Sequence, residues 1–379
     1  MRKGSATCLS ILMGLLSTLA LGFGQIIENP AKPKAANAGR VIVPEEVLSI
    51  SDEGTSDYYF KVPHDLTIAP DGSLFLLDKF QVLQFDKAGK FVRNLYKKGQ
   101  GPGEMSYVRA CLTTEKNVIV HTDSPDRLLF FDYNGRYEKE IPIRALTDNK
   151  YRLRPKTLLF SGGKFYIQSA DFPMAKGVPD YVEVPHTILA LDEAAFESQE
   201  LSSFPTIWYI VGEGGETGSY YISSFFAVPF RGQYLALSHT SEYLIKIYDP
   251  SADKVVREFR RAYERAKPDP PTALDHMMVG GKRYPHPEQK FQSDVKVILS
   301  RGDQIWIVTS TRDKSKGVLI DVFDGKGTFI DNFYLKLPES ALRQLRWSGY
   351  CTLDGDFLWV AESDAEEDVF TIKKYRLGT

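Results

Sequence analysis

The side chains able to do chemistry are scattered along the 379-residue chain, and their types suggest two kinds of site. His64, His121 and His239, with Asp78 or Asp123, could hold a divalent ion, because neutral imidazole nitrogens and carboxylate oxygens are the donors such an ion takes. Arg109, Lys156 and Lys296 could instead grip an anion, the arginine through its planar fork and the lysines as point charges. A serine nucleophile has no G-x-S-x-G elbow to carry it. Cys111 and Cys351 lie in apolar strand-like runs and read as free buried thiols; no C-x-x-C spacing offers a zinc site. Gly99-Gln100-Gly101-Pro102-Gly103-Glu104 has the glycines of a phosphate loop. It lacks the strand before and the helix after that would aim amides at a phosphate, and Pro102 removes a donor. It reads as a rigid turn, with Glu104 receiving backbone amides.

What could bring these residues together is a repeat. Asp71-Gly72-Ser73-Leu74-Phe75-Leu76-Leu77-Asp78 is a tight turn followed by a β-rich run, and related phrases recur near 115–120, 162–167, 231–237, 302–308 and 354–360. Each is followed by a second apolar run that ends near an aspartate and a turn. Phe85-Asp86-Lys87-Ala88-Gly89-Lys90 and Phe131-Asp132-Tyr133-Asn134-Gly135-Arg136 are the clearest, Asp bonding the backbone ahead and Gly taking positive φ. The repeating unit is four antiparallel strands. Six such units, at about 63–99, 107–143, 154–201, 223–262, 293–337 and 347–377, predict an all-β six-bladed β-propeller. The last unit lacks room for its outer strand, so the β-rich stretch 41–50 is expected to supply it and close the ring. Helical solenoids and parallel β/α barrels are excluded by the absence of long capped segments with 3.6-residue periodicity.

On the D-G-x-φ-x-φ-x-D phrase, the F-D-x-x-G-[KR] turns and the G-x-G-P-G-E linker after the first blade, the chain resembles the six-bladed propellers of the NHL-repeat type found in secreted bacterial proteins. The resemblance spans 41–377 and implies fold far more than function. Related six-bladed classes, the gluconolactonases and the peptidyl-hydroxyglycine lyases, imply a divalent ion at the channel mouth. Here it would fall to His64, His121, His239 and Asp123.

In a propeller the innermost strands begin around one mouth of the central channel. Alignment of the six units puts Asp65, Arg109, Lys156, Phe225, Lys296 and Ser348 at equivalent starts, with His64 beside Asp65. Second-strand ends add Asp78, His121, Asp123, Asp171, His239, Arg312, Glu362 and Asp364. The expected ligand site is therefore Asp65, His64, Arg109, Lys156, Phe225 and Lys296. Its basic members either hold blades in register through ion pairs or bind an anion. Two long connections, 204–222 and 263–292, are expected to overhang the same mouth.

Composition sets the outer limits. A charge of 47 − 49 = −2 gives no basic field for nucleic acid, and 43% hydrophobic with 12% aromatic residues excludes disorder and a polytopic membrane protein. Met1-Arg2-Lys3, the apolar run Ala6 to Leu21 and Gly22-Phe23-Gly24 read as a signal peptide over 1–24, with 25–40 a flexible linker and 41–379 one propeller domain. An uncleaved anchor is the rival reading of the leader. The sequence thus predicts a monomeric periplasmic or extracellular binding module, without membrane span after cleavage. Its partner would be an anionic small molecule, glycan or peptide at the channel mouth, or an envelope protein, and no cofactor is expected. The alternative is a metal-dependent lactonase or lyase with one divalent cation.

Overall fold

The computed structural model describes residues 26–123, 125–143, 153–171, 179–192, 197–213, 215–268, 276–346, 349–364 and 369–378. Three short strands come first, β1 (Ile27–Asn29), β2 (Arg40–Ile42) and β3 (Glu45–Ile50). The first sheet is β4 (His64–Ile68), β5 (Leu74–Asp78), β6 (Gln81–Phe85) and β7 (Phe91–Asn94), paired in that order. The second is β8 (Tyr107–Thr113), β9 (Asn117–Asp123), β10 (Arg127–Asp132) and β11 (Tyr137–Pro142). In the third, β12 (Leu153–Ser161), β13 (Lys164–Ala170), β14 (Asp180–Asp192) and β15 (Glu197–Glu213) are joined by a fifth strand, β16 (Glu216–Tyr221). The fourth holds β17 (Phe226–Phe230), β18 (Tyr234–Ser238), β19 (Ile245–Asp249) and β20 (Lys254–Arg261). A separate ribbon follows, β21 (His276–Val279) with β22 (Lys282–Pro285). The fifth sheet is β23 (Val295–Arg301), β24 (Gln304–Asp313), β25 (Gly317–Asp324) and β26 (Phe329–Leu335), and a short helix α1 (Glu339–Gln344) leads on from it. In the sixth, β27 (Cys351–Asp354), β28 (Phe357–Asp364) and β29 (Val369–Arg376) take β3 as a fourth, antiparallel strand.

Burial explains the strand sequences. β5 and β6 are buried along their whole length, because a middle strand lies between two neighbouring sheets and has no solvent face. β7, at the outer edge, alternates half-buried and exposed positions. The turns use the predicted chemistry: Asp86 Oδ1 accepts the Ala88 and Lys90 amides at 2.9 Å each, and Asp132 Oδ1 accepts those of Asn134 and Arg136 at 2.9 and 2.8 Å. Asp324 repeats the device with Lys326 and Thr328.

The core is divided among interfaces between sheets. Phe75 and Leu77 of the first sheet pack with Val118 and Leu129 of the second, and Ile119 and Phe130 of the second with Ile167 and Leu189 of the third. Tyr166 and Ile188 of the third sheet meet Leu235 and Tyr248 of the fourth, and Phe259 of the fourth meets Phe323 and Phe329 of the fifth. Val308 and Phe333 meet Leu358 and Val360 of the sixth, and Trp359 and Ile372 of the sixth meet Leu74 and Phe85 of the first. At roughly 1.5–3 kcal/mol per fully buried large aliphatic or aromatic side chain, these interfaces are the main favourable term.

The stretch expected to be a flexible linker instead carries edge strands. β1 adds parallel to β20, Ile27 opposite Phe259, and β2 adds parallel to β26, Arg40 opposite Phe333. Between them, the amides of Lys34, Ala35 and Gly39 donate to the carbonyls of Phe329, Ile330 and Asn332. The buried Asn29 fastens the start: its Nδ2 donates to Arg260 O at 3.0 Å and Gly327 O at 2.9 Å, and its Oδ1 accepts the Phe329 amide at 2.9 Å. Pro30, Pro33 and the alanines read as a spacer; the strand-edge hydrogen bonds come from the backbone and leave no side-chain pattern.

Candidate functional site

The first strands of the six sheets neighbour one another in the order β4, β8, β12, β17, β23, β27 and again β4. They enclose a cavity of about 350 Å³. Its wall is largely aliphatic and aromatic, with Leu112, Phe160, Phe225, Phe226, Val297 and Leu353 among its members. The polar part is Asp65, Thr67, Thr113, Gln168, Ser300 and Thr352, together with the thiol-bearing Cys111 and Cys351. Among the described lining residues Asp65 is the one charged side chain; Lys, Arg and His are absent. Asp65 is buried, sits at φ 55° and accepts the Cys111 amide through Oδ2 at 3.3 Å. Both cysteines are buried thiols outside any disulfide, and burial pushes the Cys111 thiol far above the ordinary thiol range.

The aligned starting positions do share a local structure. The strand register shifts between His64 and Thr67, between Val108 and Ala110, and between Val295 and Val297. Asp65, Arg109 and Lys296 thus occupy β-bulges, which re-aim side chains next to functional sites. Two of the six expected ligand residues, Asp65 and Phe225, line the cavity. Arg109 does not: its Nε donates to Asp123 Oδ2 at 3.0 Å and its guanidinium lies 4.5 Å over the Tyr107 ring. Lys296, half-buried, borders a small pocket between the fifth sheet and α1 with Arg312, Leu345 and Arg346. His64 Nδ1 lies 2.8 Å from Val62 O, beside the Tyr350 ring. The Lys156 side chain and Ser348 lie outside the described residues, as does the side chain of Asp364.

The donors considered for a divalent ion do not converge. His121 Nε2 is 2.8 Å from Asp126 Oδ1, and His239 Nδ1 is 2.8 Å from Pro205 O. Among the described residues no three His, Cys, Asp or Glu side chains gather in a metal-binding group. Asp78, fully buried, accepts the Lys61 and Val62 amides at 2.7 and 3.0 Å, and desolvation pushes its carboxyl up.

The two long connections differ from expectation in being largely β-structure. β14 and β15 run on past the last β13 pair, Ala170 opposite His186, and with β16 they build an arm of paired strands over 180–185, 205–213 and 216–221. The glycines near 212–218 suggested a loop, but cross-strand partners such as Val182 and Trp208 hold the chain extended. Within 263–292 the Gly280-Gly281 turn, φ 56° and 74°, folds the β21–β22 ribbon. Ribbon and arm clasp each other: Lys282 Nζ and Tyr284 OH donate to the Glu213 carboxylate at 2.9 and 2.8 Å, and the Gly280 amide to Glu216 at 2.8 Å. The base of the ribbon is pinned by Arg265, which donates to Asp294 Oδ1 at 3.0 Å and to Ser241 O at 2.9 Å. Ser293 Oγ donates to Ile222 O at 3.1 Å, so both insertions are anchored where β17 and β23 begin.

Two buried networks escaped sequence reasoning. Arg127 donates through Nη2 to the carbonyls of Gln100, Gly101 and Glu104 at 3.2, 2.9 and 2.8 Å, and through Nη1 to Glu140. With Gly101 N donating to Glu104 Oε2 at 2.9 Å, the 99–104 segment is a clamped turn. Gly99 stands at φ 156°, and a Cβ there would lie 2.0 Å from Glu104 Oε2. Between the fourth and fifth sheets, Arg261 Nε donates to Asp321 Oδ2 at 2.7 Å and Tyr243 OH to the same oxygen at 2.9 Å. The guanidinium lies between 4.7 and 5.5 Å from the Tyr263, Phe329 and Tyr243 rings. Arginines so far apart in sequence from their partners give no local signal.

A family model described as a 6-bladed β-propeller matches residues 47–172, the last strand of the sixth sheet through the first strands of the third. No curated protein matches the chain. Among solved structures, a candidate exported protein from Bacteroides fragilis aligns at TM-score 0.51 and 12% identity, over 93% of this chain and all of its own. A member of the DUF4221 family from Bacteroides vulgatus aligns at TM-score 0.49 and 10% identity over 90% and 99% of the two chains. A gluconolactonase from Xanthomonas campestris aligns at TM-score 0.45 and 11% identity over 92% and 98%. Likeness at these identities speaks to fold alone. A six-bladed β-propeller is the fold that the six sheets and the family match support.

Proposed function

We propose that this chain is an exported binding propeller whose central channel takes a small, mainly apolar ligand with a cationic or hydrogen-bond-donating head directed at Asp65. The observation that carries the reading is the cavity wall, which among the described residues holds the Asp65 carboxylate, several hydroxyls, the Gln168 amide and the aromatic side chains of Phe160, Phe225 and Phe226. A carboxylate in an apolar wall attracts a cation and repels an anion. An anionic ligand at the mouth, favoured by residue type alone, has less support, since Arg109 is engaged by Asp123. Export rests on the basic, apolar and small-residue pattern of 1–24; no helix among the described residues is long and apolar enough to cross a membrane. Closure of the ring by β3 is supported by its pairing with β29 and by the packing of the sixth sheet on the first. Kinship to the NHL type is supported by the Asp86 and Asp132 turns.

Ala227 lines the cavity from β17. Ala227 also packs on the cluster between the third and fourth sheets; Ala227→Trp, in protein whose fold is verified by circular dichroism, should narrow the channel and abolish binding of benzylammonium, measured by titration calorimetry. Undiminished binding in a folded Ala227→Trp variant would place the ligand elsewhere.

A further inference from the structure

A second surface stands apart from the channel, on the end of the first two sheets where β5 passes to β6. That connection is a two-residue turn, Lys79-Phe80, with Asp78 paired to Gln81 across it. Lys79 stands at φ 52°, in a turn position that normally goes to glycine. A bulky residue held in left-handed backbone is strained, and such strain collects at functional sites. Here it presents Phe80, 39% exposed, at the hairpin tip.

Phe80 is the centre of an aromatic group. Its ring lies 6.1 Å from Tyr96 and 6.2 Å from Tyr107, which is 44% exposed. Tyr59 is 40% exposed; desolvation, and to a smaller extent the Tyr59 phenol, raises the pKa of Tyr96. The group is rigidly mounted. Residues on both sides of the Lys79-Phe80 turn grip the segment that carries Tyr59: Asp78 accepts the Lys61 and Val62 amides, and Gln81 Nε2 donates to Tyr59 O at 2.7 Å.

Cations edge these rings. Lys61 Nζ lies 5.7 Å from the Tyr59 ring centre, Lys79 Nζ 5.6 Å from that of Phe80, and the Arg109 guanidinium 4.5 Å from that of Tyr107. Lys97 and Lys98, both exposed, follow Tyr96 directly. Carboxylates stand near them as well: Asp123 pairs with Arg109, and Asp78 lies buried beneath the turn on the Lys61 and Val62 amides.

We propose that this rim binds an acidic polysaccharide, a polymer of uronate sugars. The aromatic rings offer faces and edges to the apolar faces of pyranose rings, and the lysines meet carboxylates spaced along the polymer. A protein partner fits less well, because protein interfaces are enriched in aromatic residues and arginine but depleted in lysine, and this rim carries four lysines against one arginine.

Affinity electrophoresis and calorimetry with polygalacturonate, its fully methyl-esterified form and poly-glutamate test the assignment on the whole chain. Polygalacturonate should bind, and the esterified polymer, which keeps the sugar faces and loses the charges, should bind at least about tenfold more weakly. Phe80→Ala with Tyr107→Ala should cost about tenfold in affinity. Lys97→Ser with Lys98→Ser, at exposed positions that leave the fold alone, should weaken binding and flatten its salt dependence. Ala227→Trp, in the channel, should change none of this, so failure of the rim and failure of the channel reading are separable. The proposal is overturned if polygalacturonate does not bind, if the esterified polymer binds equally well, or if either double variant in folded form binds undiminished. Equal or tighter binding of poly-glutamate would overturn it in favour of an acidic protein partner.

Discussion

His239 shows how a single residue reports its surroundings. Burial holds its imidazole below the ordinary histidine range, with the Pro205 carbonyl opposing that effect only in part. A histidine whose folded pKa is depressed contributes stability that is complete above the unfolded value of about 6.5 and is lost as pH falls through the folded pKa. Melting temperature followed from pH 7.5 to 5 should therefore fall less in His239→Gln than in the parent chain; parallel curves would show that His239 is not responsible. Arg127 makes the complementary case, since its removal leaves three carbonyls without their shared donor. Arg127→Ala should destabilise by about 2–3 kcal/mol in denaturant titration, and a loss under about 0.5 kcal/mol would mean that the 99–104 turn holds itself. Residue types and positions were partly legible beforehand. Glu104 was expected to receive amides and does, and Cys111 and Cys351 were expected to be buried thiols and are. Arg109 and Lys296 share a bulge position with Asp65 in their respective inner strands, but the direction in which a bulge sends its side chain depends on partners such as Asp123 that sequence spacing does not reveal.

Among elements, the N-terminal strands and the arm carry the departures from expectation. β1 and β2 cover the outer edges of the fourth and fifth sheets, which would otherwise present unpaired backbone. Asn29→Ala removes a buried group with three hydrogen bonds, so unfolding free energy should drop by about 1–3 kcal/mol; proteolysis should then release 26–42 first. An unchanged midpoint would show the strap to be ornamental. The arm and ribbon touch through Gly218, where a Cβ would fall 2.5 Å from Val279 Cγ2. Gly218→Val should push the ribbon away and speed proteolysis within 266–292, with a shift in global stability below about 1 kcal/mol because the inter-sheet cores are untouched. Edge strands and paired insertions were hard to read because backbone pairing needs no particular side chain, whereas the D-x-x-G turns, which do need theirs, were plain.

At the scale of the molecule, six inter-sheet clusters follow one another and return to the first sheet. The repeat made this architecture legible, since each unit brings its own strand pattern and turn. The channel was not, because its character depends on which stretches of inner strand face inward, and a propeller with a basic ring and one whose described lining carries the Asp65 carboxylate share the same repeat. Charge selection at the channel is therefore the most direct test of the account. Benzylammonium, benzyl alcohol and benzoate share one ring and differ in charge, and their affinities for the intact chain can be compared by titration calorimetry at low salt. The order benzylammonium, then benzyl alcohol, then benzoate, collapsing to near equality in Asp65→Asn, is the predicted result. Benzoate binding tightest would contradict it.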